Sequence, residues 1–512
     1  MGKIQFPNLR ALPAGPRWLA YGVLLLCAIL VGGVITAYGG MLLVVLMWAV
    51  CMGGLCLLLH FTWQMVFPGQ RVAQDKTFLR SWLAGSAVGV AVIAALVCYR
   101  QTVYSDDAIN YFAKQTLLFG SFGQSGFYGI HVLLESLLMA DYKMFMNLFI
   151  SVPYLFTGRS INAFMVCYAI TCFVPMWFAL LMGAKYLAQR LPACHTALYY
   201  PLCMAVMVLW PMFLWPATHG MPDAFGLTFA AVIALLCADY RFETLPWPRL
   251  LAIFAATFAL ILTRRWYMFW ILAFYAVYVL AVLVGAVRRK TLGSTLKHML
   301  LFGVPSAVII VGALLPTFKT ILTTDYADIY GAYYGGGFGN NCLGQLRTQG
   351  LIWLVLCAAG LVWLLYCRST RVQALVAAAA SLGAMVLFTR TQSLGDHQSL
   401  ILAPFYLLML FGLCAKLTQQ KAKPWLRNAA AGVLAVFLVV NFGNALRLPG
   451  KNVQTLALSS ESLDLTRRTD LAQMRAVTDF VLEHCTEEQT VYINMGSNGY
   501  SGTTFAYSDP AH

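Results

Sequence analysis

The chain has 512 residues, 60% of them hydrophobic and only 10% charged, with a mean hydropathy of +0.73 and a formal charge of +15. That balance excludes an ordinary soluble enzyme and points to a polytopic membrane protein. The fourteen cysteines contain no C-x-x-C pair, which argues against zinc or dithiol chemistry; most lie inside apolar runs as small core residues, and only Cys342 and Cys485 fall where an outer pairing could form.

Apolar runs near the twenty residues needed to span hydrocarbon follow one another at 18–38, 40–60, 81–99, 161–184, 196–213, 223–238, 250–263, 266–287, 298–316, 350–367, 372–388, 398–415 and 428–446. The first is too long for a signal-peptide core and lacks an A-x-A cleavage pattern, so it is expected to stay as a helix. The 250–263 run is short and would have to cross as a thin or tilted span.

Charge orients the list. With Lys3, Arg10 and Arg17 placing the N-terminus in the cytoplasm, alternate loops are cytoplasmic and carry 20 of the 34 Lys and Arg residues, against the acids Asp75, Asp239 and Glu243. The positive-inside rule is obeyed loop after loop. The basic excess therefore reports membrane orientation, and no nucleic-acid partner is expected.

This threading places three long segments outside: Arg100 to Ser160, Thr317 to Gly350, and Arg447 to His512. In the first, "INYFAKQTLLFG" and "HVLLESLLMADYKMFMNLF" space apolar residues three and four apart, as interfacial amphipathic helices do. In the tail, Leu471 to His484 reads as an amphipathic helix, "TVYIN" as a strand, and the rest as a Gly/Ser/Asn-rich loop. The expected fold is an all-α polytopic membrane protein of about thirteen transmembrane helices. Interfacial helices occupy the outer loop 100–160, and a small α/β outer segment, 447–512, follows the membrane domain, 1–446.

The first outer loop opens with "TVYSDDAINYF", which sets Asp106 and Asp107 side by side just past a membrane helix. Ser105 or Asp106 could simply cap a helix there, since acids suit a helix N-terminus. The functional alternative is a general base at the membrane surface: a carboxylate beside a second one and against apolar surface is expected to favour its protonated form, and so to accept a proton from a hydroxyl. An acidic pair heading a long first outer loop, followed by interfacial helices, many spans and an outer C-terminal part, resembles the GT-C glycosyltransferases. The resemblance implies that Asp106 or Asp107 is the catalytic base, that the donor is a sugar on a polyprenyl phosphate, and that transfer inverts the anomeric centre. The chain departs from the pattern in having two predicted helices, rather than the common one, ahead of the helix that leads into the loop.

The donor class also follows from position, because the outer face of a cell membrane has no nucleotide pool and a sugar must arrive activated on a lipid. A departing lipid phosphate needs cations near the interface. "TRRWY" supplies Arg264 and Arg265 beside Trp266 and Tyr267, and guanidinium suits phosphate geometry. The turn "TRTQSLGDHQ" adds Arg390 and His397 as further phosphate contacts and Asp396 as a substrate contact, and "THGMPDAF" adds His219 and Asp223. Tyr104, beside the acidic pair, is a further substrate-binding candidate. His219, Asp223, Asp396 and His397 come from separate loops without ligand spacing, so neither a metal nor another cofactor is expected. The glycine run "YGGGFGN" lacks the Lys-Ser/Thr of a nucleotide loop and reads as a mobile cover or a flexible connector.

The expected function is transfer of a sugar from a polyprenyl-phosphate donor to a cell-envelope glycan or glycolipid, such as lipopolysaccharide, on the non-cytoplasmic face of a bacterial inner membrane, with the C-terminus outside. The partners are the lipid-linked donor, the acceptor and membrane lipids. A polysaccharide polymerase or ligase would ordinarily carry its arginines and histidine in a large late outer loop. A transporter would show charges at mid-helix and related halves.

Overall fold

The computed structural model describes residues 39–100, 106–157, 160–325, 331–334, 336–448, 455–463, 465, 467–486, 491 and 504–505. The predicted helix at 18–38 lies outside them, as do Tyr104, Ser105 and nearly all of the predicted strand and loop of the tail.

Helices fall on all twelve of the other predicted runs. The first is α1 (Gly40–Val66), then α2 (Lys76–Arg100), which leads to the Asp pair. The segment expected as the first outer loop forms α3 (Asp106–Gln124), α4 (Gly126–Leu138) and α5 (Phe145–Leu155). The second stretch expected there as one amphipathic helix is thus two, parted by a turn at residues 139–144. Next come α6 (Ile161–Ala188), which relaxes into a π turn at Ala169–Phe173 just before Pro175, α7 (Thr196–Val208) and α8 (Pro211–His219). Then follow α9 (Asp223–Cys237), α10 (Trp247–Thr263), α11 (Tyr267–Arg289), α12 (Leu292–Ala313) and α13 (Leu315–Thr323). The chain continues through α14 (Gly337–Gln349), α15 (Leu351–Tyr366), α16 (Arg371–Phe388), α17 (Ala403–Leu417), α18 (Pro424–Ala445) and α19 (Leu471–His484). The protein is an all-α polytopic membrane protein, and α19 has the bounds read from sequence.

Eight helices are long and apolar enough to cross a membrane, or up to ten if each bent pair is one span, among the described residues. Those residues do not confirm the count of thirteen, and the run at 18–38 lies outside them. Helices α9 and α10, of 15 and 17 residues, reach only about 22–26 Å at 1.5 Å per residue, short of the roughly 30 Å hydrocarbon core. The run at 196–213 bends by 51° between α7 and α8, where Pro211 starts a new helix. A 102° bend separates α14 from α15 at Gly350, whose φ of +83° suits glycine. The glycine run expected as a mobile loop is half helical, because Gly337 already begins α14.

The centre of the bundle is built by α6, α9 and α17. One close approach sets its spacing. A Cβ on Gly360 of α15 would stand 1.9 Å from the Met409 carbonyl oxygen on α17, so the two backbones touch only because position 360 lacks a side chain. Gly360→Ala is expected to cost about 1–3 kcal/mol through overpacking. A lower thermal midpoint in detergent would register it, and an unchanged midpoint would show that α15 shifts freely.

Beyond α18 the tail returns across the bundle end instead of leaving it. Leu351 N–H donates to Leu456 O (2.7 Å), Ser460 N–H to Arg347 O (3.1 Å), Leu463 N–H to Ala445 O (2.9 Å) and Arg468 N–H to Arg100 O (2.8 Å). Arg100, buried at the end of α2, donates to Leu463 O and, at 3.1 Å, to Thr218 O. The tail is therefore a strap, with residues 456, 460, 463 and 468 held by backbone bonds to four helices of the bundle. No strand occurs among the described residues; Val491, the one described residue of "TVYIN", is in no regular structure. Cys342 and Cys485 are both free thiols.

Candidate active site

The site assembles where α3, α9 and the α10–α11 turn meet. Asp107 and Tyr111 are four residues apart on α3 and so share a face. Asp223 opens α9, a position that suits a carboxylate at a helix N-terminus. Arg264 is where α10 ends: its backbone is extended (φ −154°, ψ 132°), which sends the chain out of the helix.

Arg264 joins the other three. Its Nε donates to Asp223 Oδ1 at 3.0 Å, one terminal nitrogen to the Tyr111 hydroxyl at 2.7 Å, and the other to Asp107 Oδ2 at 3.1 Å. The guanidinium lies 5.4 Å from the Tyr111 ring centroid and 5.8 Å from that of Tyr142. Tyr142, from the turn between α4 and α5, donates its hydroxyl to Asp107 Oδ1. Tyr267 donates to the Asp223 backbone oxygen at 2.6 Å. Arg264 is 7% exposed and Asp223 fully buried, so this is an interior charge network that persists because each ion has partners.

The electrostatics correct one expectation. Burial alone would raise the Asp107 carboxyl, but the Arg264 charge and the bonds from Tyr142 and Arg264 outweigh it and hold the group below the usual aspartate value. Asp107 is thus an ionised, anchored carboxylate, not one whose proton is retained. Asp106 is the first residue of α3.

The remaining sequence candidates divide. Arg265 pairs with Asp141, which is half exposed. Lys143, in the same turn as Asp141 and Tyr142, is 2% exposed and donates to Leu137 O (2.7 Å) and the Thr317 hydroxyl (3.1 Å). Burial pulls its ammonium down to about 8; Asp141 opposes that shift and Arg265 adds to it. His397 stands at the head of the turn before α17, with its ring parallel to Trp215 at 5.8 Å. Burial lowers its imidazole below the ordinary value, against the pull of Asp223, Asp107 and Asp396 and with help from Arg264. His219 stacks on Trp215 at 4.0 Å and uses Nδ1 on the Trp215 carbonyl. Asp396 is exposed beside His397. Arg390 is exposed and has no hydrogen bond or ion pair to this cluster among the described residues. No three His, Cys, Asp or Glu side chains converge as metal ligands among those residues.

Two buried polar atoms of the site have no protein partner among the described residues, Asp223 Oδ2 and His397 Nε2. Such atoms are satisfied by water or by a bound molecule.

Sequence reasoning missed Tyr111, Tyr142, Asp141, Lys143 and Glu461. Only Tyr111 was signalled, by its spacing from Asp107. The strap carries Glu461, 4% exposed, with Oε2 unpartnered. Burial holds its carboxyl well above the ordinary value of about 4.5, and the negative charge of Asp396 adds to the shift. The folded chain therefore binds this proton more tightly than the unfolded chain. Its contribution to stability is fully present below about pH 4.5 and is lost as pH rises through the folded value. Glu461→Gln is expected to flatten the fall of the thermal midpoint between pH 4.5 and 8. Parallel curves for variant and wild type would rule the effect out.

No protein-family model matches the chain, and no curated protein matches it. Among solved structures, the chain is similar to the crystal structure of ArnT from Cupriavidus metallidurans bound to undecaprenyl phosphate. The two share 14% identity over 83% of this chain and 84% of that one, with a TM-score of 0.48.

Proposed function

We propose that the protein is an integral membrane glycosyltransferase that moves a sugar from a polyprenyl-phosphate donor to a hydroxyl of a cell-envelope glycan or glycolipid, on the non-cytoplasmic face of a bacterial inner membrane. One observation carries the reading: the acidic pair heads an interfacial helix, with Asp107 locked into a buried network with Arg264, Tyr111, Tyr142 and Asp223. A motif that only capped a helix would need none of those partners.

In this mechanism Asp106 accepts the proton of the acceptor hydroxyl. The freed oxygen attacks the anomeric carbon from the face opposite the lipid, and the bond from that carbon to the phosphate oxygen breaks with its electrons passing to phosphate, inverting the centre. Asp107 holds the start of α3 in register through Arg264. Because Arg264 is neutralised by two carboxylates, the phosphate falls to Arg265 instead, whose pairing with water-exposed Asp141 is weak and exchangeable. Donor-sugar hydroxyls satisfy Asp223 Oδ2 and His397 Nε2.

The test is direct. Purified protein in proteoliposomes is given polyprenyl-phosphate sugars with and without envelope glycolipid, and release of free polyprenyl phosphate is followed. Acceptor-dependent release supports the reading. No release from any donor, or solute flux in its place, removes it.

A further inference from the structure

At the far end of α2 from the candidate site lies a feature that glycosyl transfer does not use. Arg80 and Arg100 are twenty residues apart on one helix, a rise of about 30 Å, or one hydrocarbon thickness. Arg100 is bound to Leu463 and to Thr218, the neighbour of His219, whose ring stacks on Trp215 next to His397. Arg80 therefore sits at the opposite leaflet, out of reach of any phosphate reacting near Arg265.

A groove of about 450 Å³ runs from Arg80 along the seam between α2 and α7. Its walls are small or apolar, chiefly Ala84, Val88, Pro201, Ala205 and Leu209. Ala84, Val88 and Pro201 are exposed, so the groove opens on the lipid-facing side of the bundle. The bend between α7 and α8 follows directly after Leu209 and ends the seam. Ser81, the one polar wall residue besides Arg80, spends its hydroxyl on Thr77 O at 2.8 Å. Arg80 is exposed and has no hydrogen bond or ion pair among the described residues. Lys76, one turn earlier, shares its helix face and is also exposed. Asp75, the acid nearest in sequence, is occupied by Lys185.

We propose that this groove is a binding site for one anionic phospholipid of the leaflet opposite the candidate active site. An acyl chain lies along Ala84, Val88 and Ala205, and the headgroup phosphate pairs with Arg80. Charge complementarity selects the occupant. A guanidinium without a partner among the described residues, at the mouth of an apolar slot, fits a phosphate carried on a hydrocarbon chain, and a net-neutral headgroup gives the Arg80–Lys76 face less to attract.

The protein is reconstituted in nanodiscs of equal phosphatidylglycerol and phosphatidylcholine, released, and examined by native mass spectrometry. One retained phosphatidylglycerol per chain is expected, with retention lowered about tenfold in Arg80→Gln, as loss of a charge-assisted bond implies. Ala84→Leu, which fills the slot and leaves Arg80 in place, is expected to abolish retention. Thermal midpoints of both variants in detergent check that they are folded, which is expected because both positions are exposed. Equal retention of the two lipids by wild type, undiminished phosphatidylglycerol in folded Arg80→Gln, or no effect of Ala84→Leu would overturn the proposal. Transfer activity does not enter any of these outcomes.

Discussion

Arg264→Gln is expected to lose both fold stability and sugar transfer, with a stability cost of about 3–5 kcal/mol. The reason is the state it leaves behind. Asp223 is fully buried and has one oxygen without a partner among the described residues; without the guanidinium its charge is stranded. Tyr111 and Asp107 lose a partner in the same step. Arg264→Lys is expected to recover little, because one ammonium cannot reproduce three bonds directed at Asp223, Tyr111 and Asp107. A second variant separates the two losses. Arg264→Met combined with Asp223→Leu removes the buried pair together and is expected to restore most of the thermal midpoint, since apolar replacement of a whole ion pair is often neutral. Transfer should stay lost, because Asp107 would no longer be anchored. If the double variant regained transfer along with stability, the network would be structural only.

Asp106→Asn is expected to reduce transfer about 10²–10⁴-fold, the range for loss of a general base, with the thermal midpoint nearly unchanged. Asp107→Asn is expected to act differently. It keeps a side chain that can meet Tyr142 but surrenders the ion pair with Arg264, so stability falls and transfer drops by a smaller factor, roughly tenfold. The acid side of the activity profile should also move in Asp107→Asn, because the wild-type carboxylate, held low by Arg264 and Tyr142, keeps its charge as pH falls until its own lowered value is reached. Initial rates of polyprenyl-phosphate release across pH, beside thermal melts of each variant, measure both effects. Equal losses for the two substitutions would dissolve the division of labour, and full activity in Asp106→Asn would remove the base.

The helical membrane architecture was legible because hydropathy acts locally: a run of apolar residues of bilayer length has little choice but to be a helix in lipid. The same logic placed α19 and the body of α3 from their amphipathic spacing. It failed where length and bending depend on neighbours. Pro211 marks where the 196–213 run can break, but the 51° turn there is set by packing, and hydropathy along 131–149 does not show that the helix breaks to deliver Tyr142. The glycine run misled for a related reason, since packing of Asn341 against the turn at Leu394 helps draw its second half into α14.

The candidate site shows the same division. Composition, charge asymmetry and an acidic pair at a helix start are properties of short stretches, and the sequence by itself determined that this is a many-helix membrane protein with paired carboxylates just past one of its apolar helices. What only the tertiary structure decided is the partnership. Arg264 meets Asp107 across 157 positions and Asp223 across 41, and a strap from beyond α18 brings Glu461 under the influence of Asp396. Charges and hydrogen bonds act over a few ångströms of space, so a pairing between segments that are remote along the chain exists only once the bundle has closed.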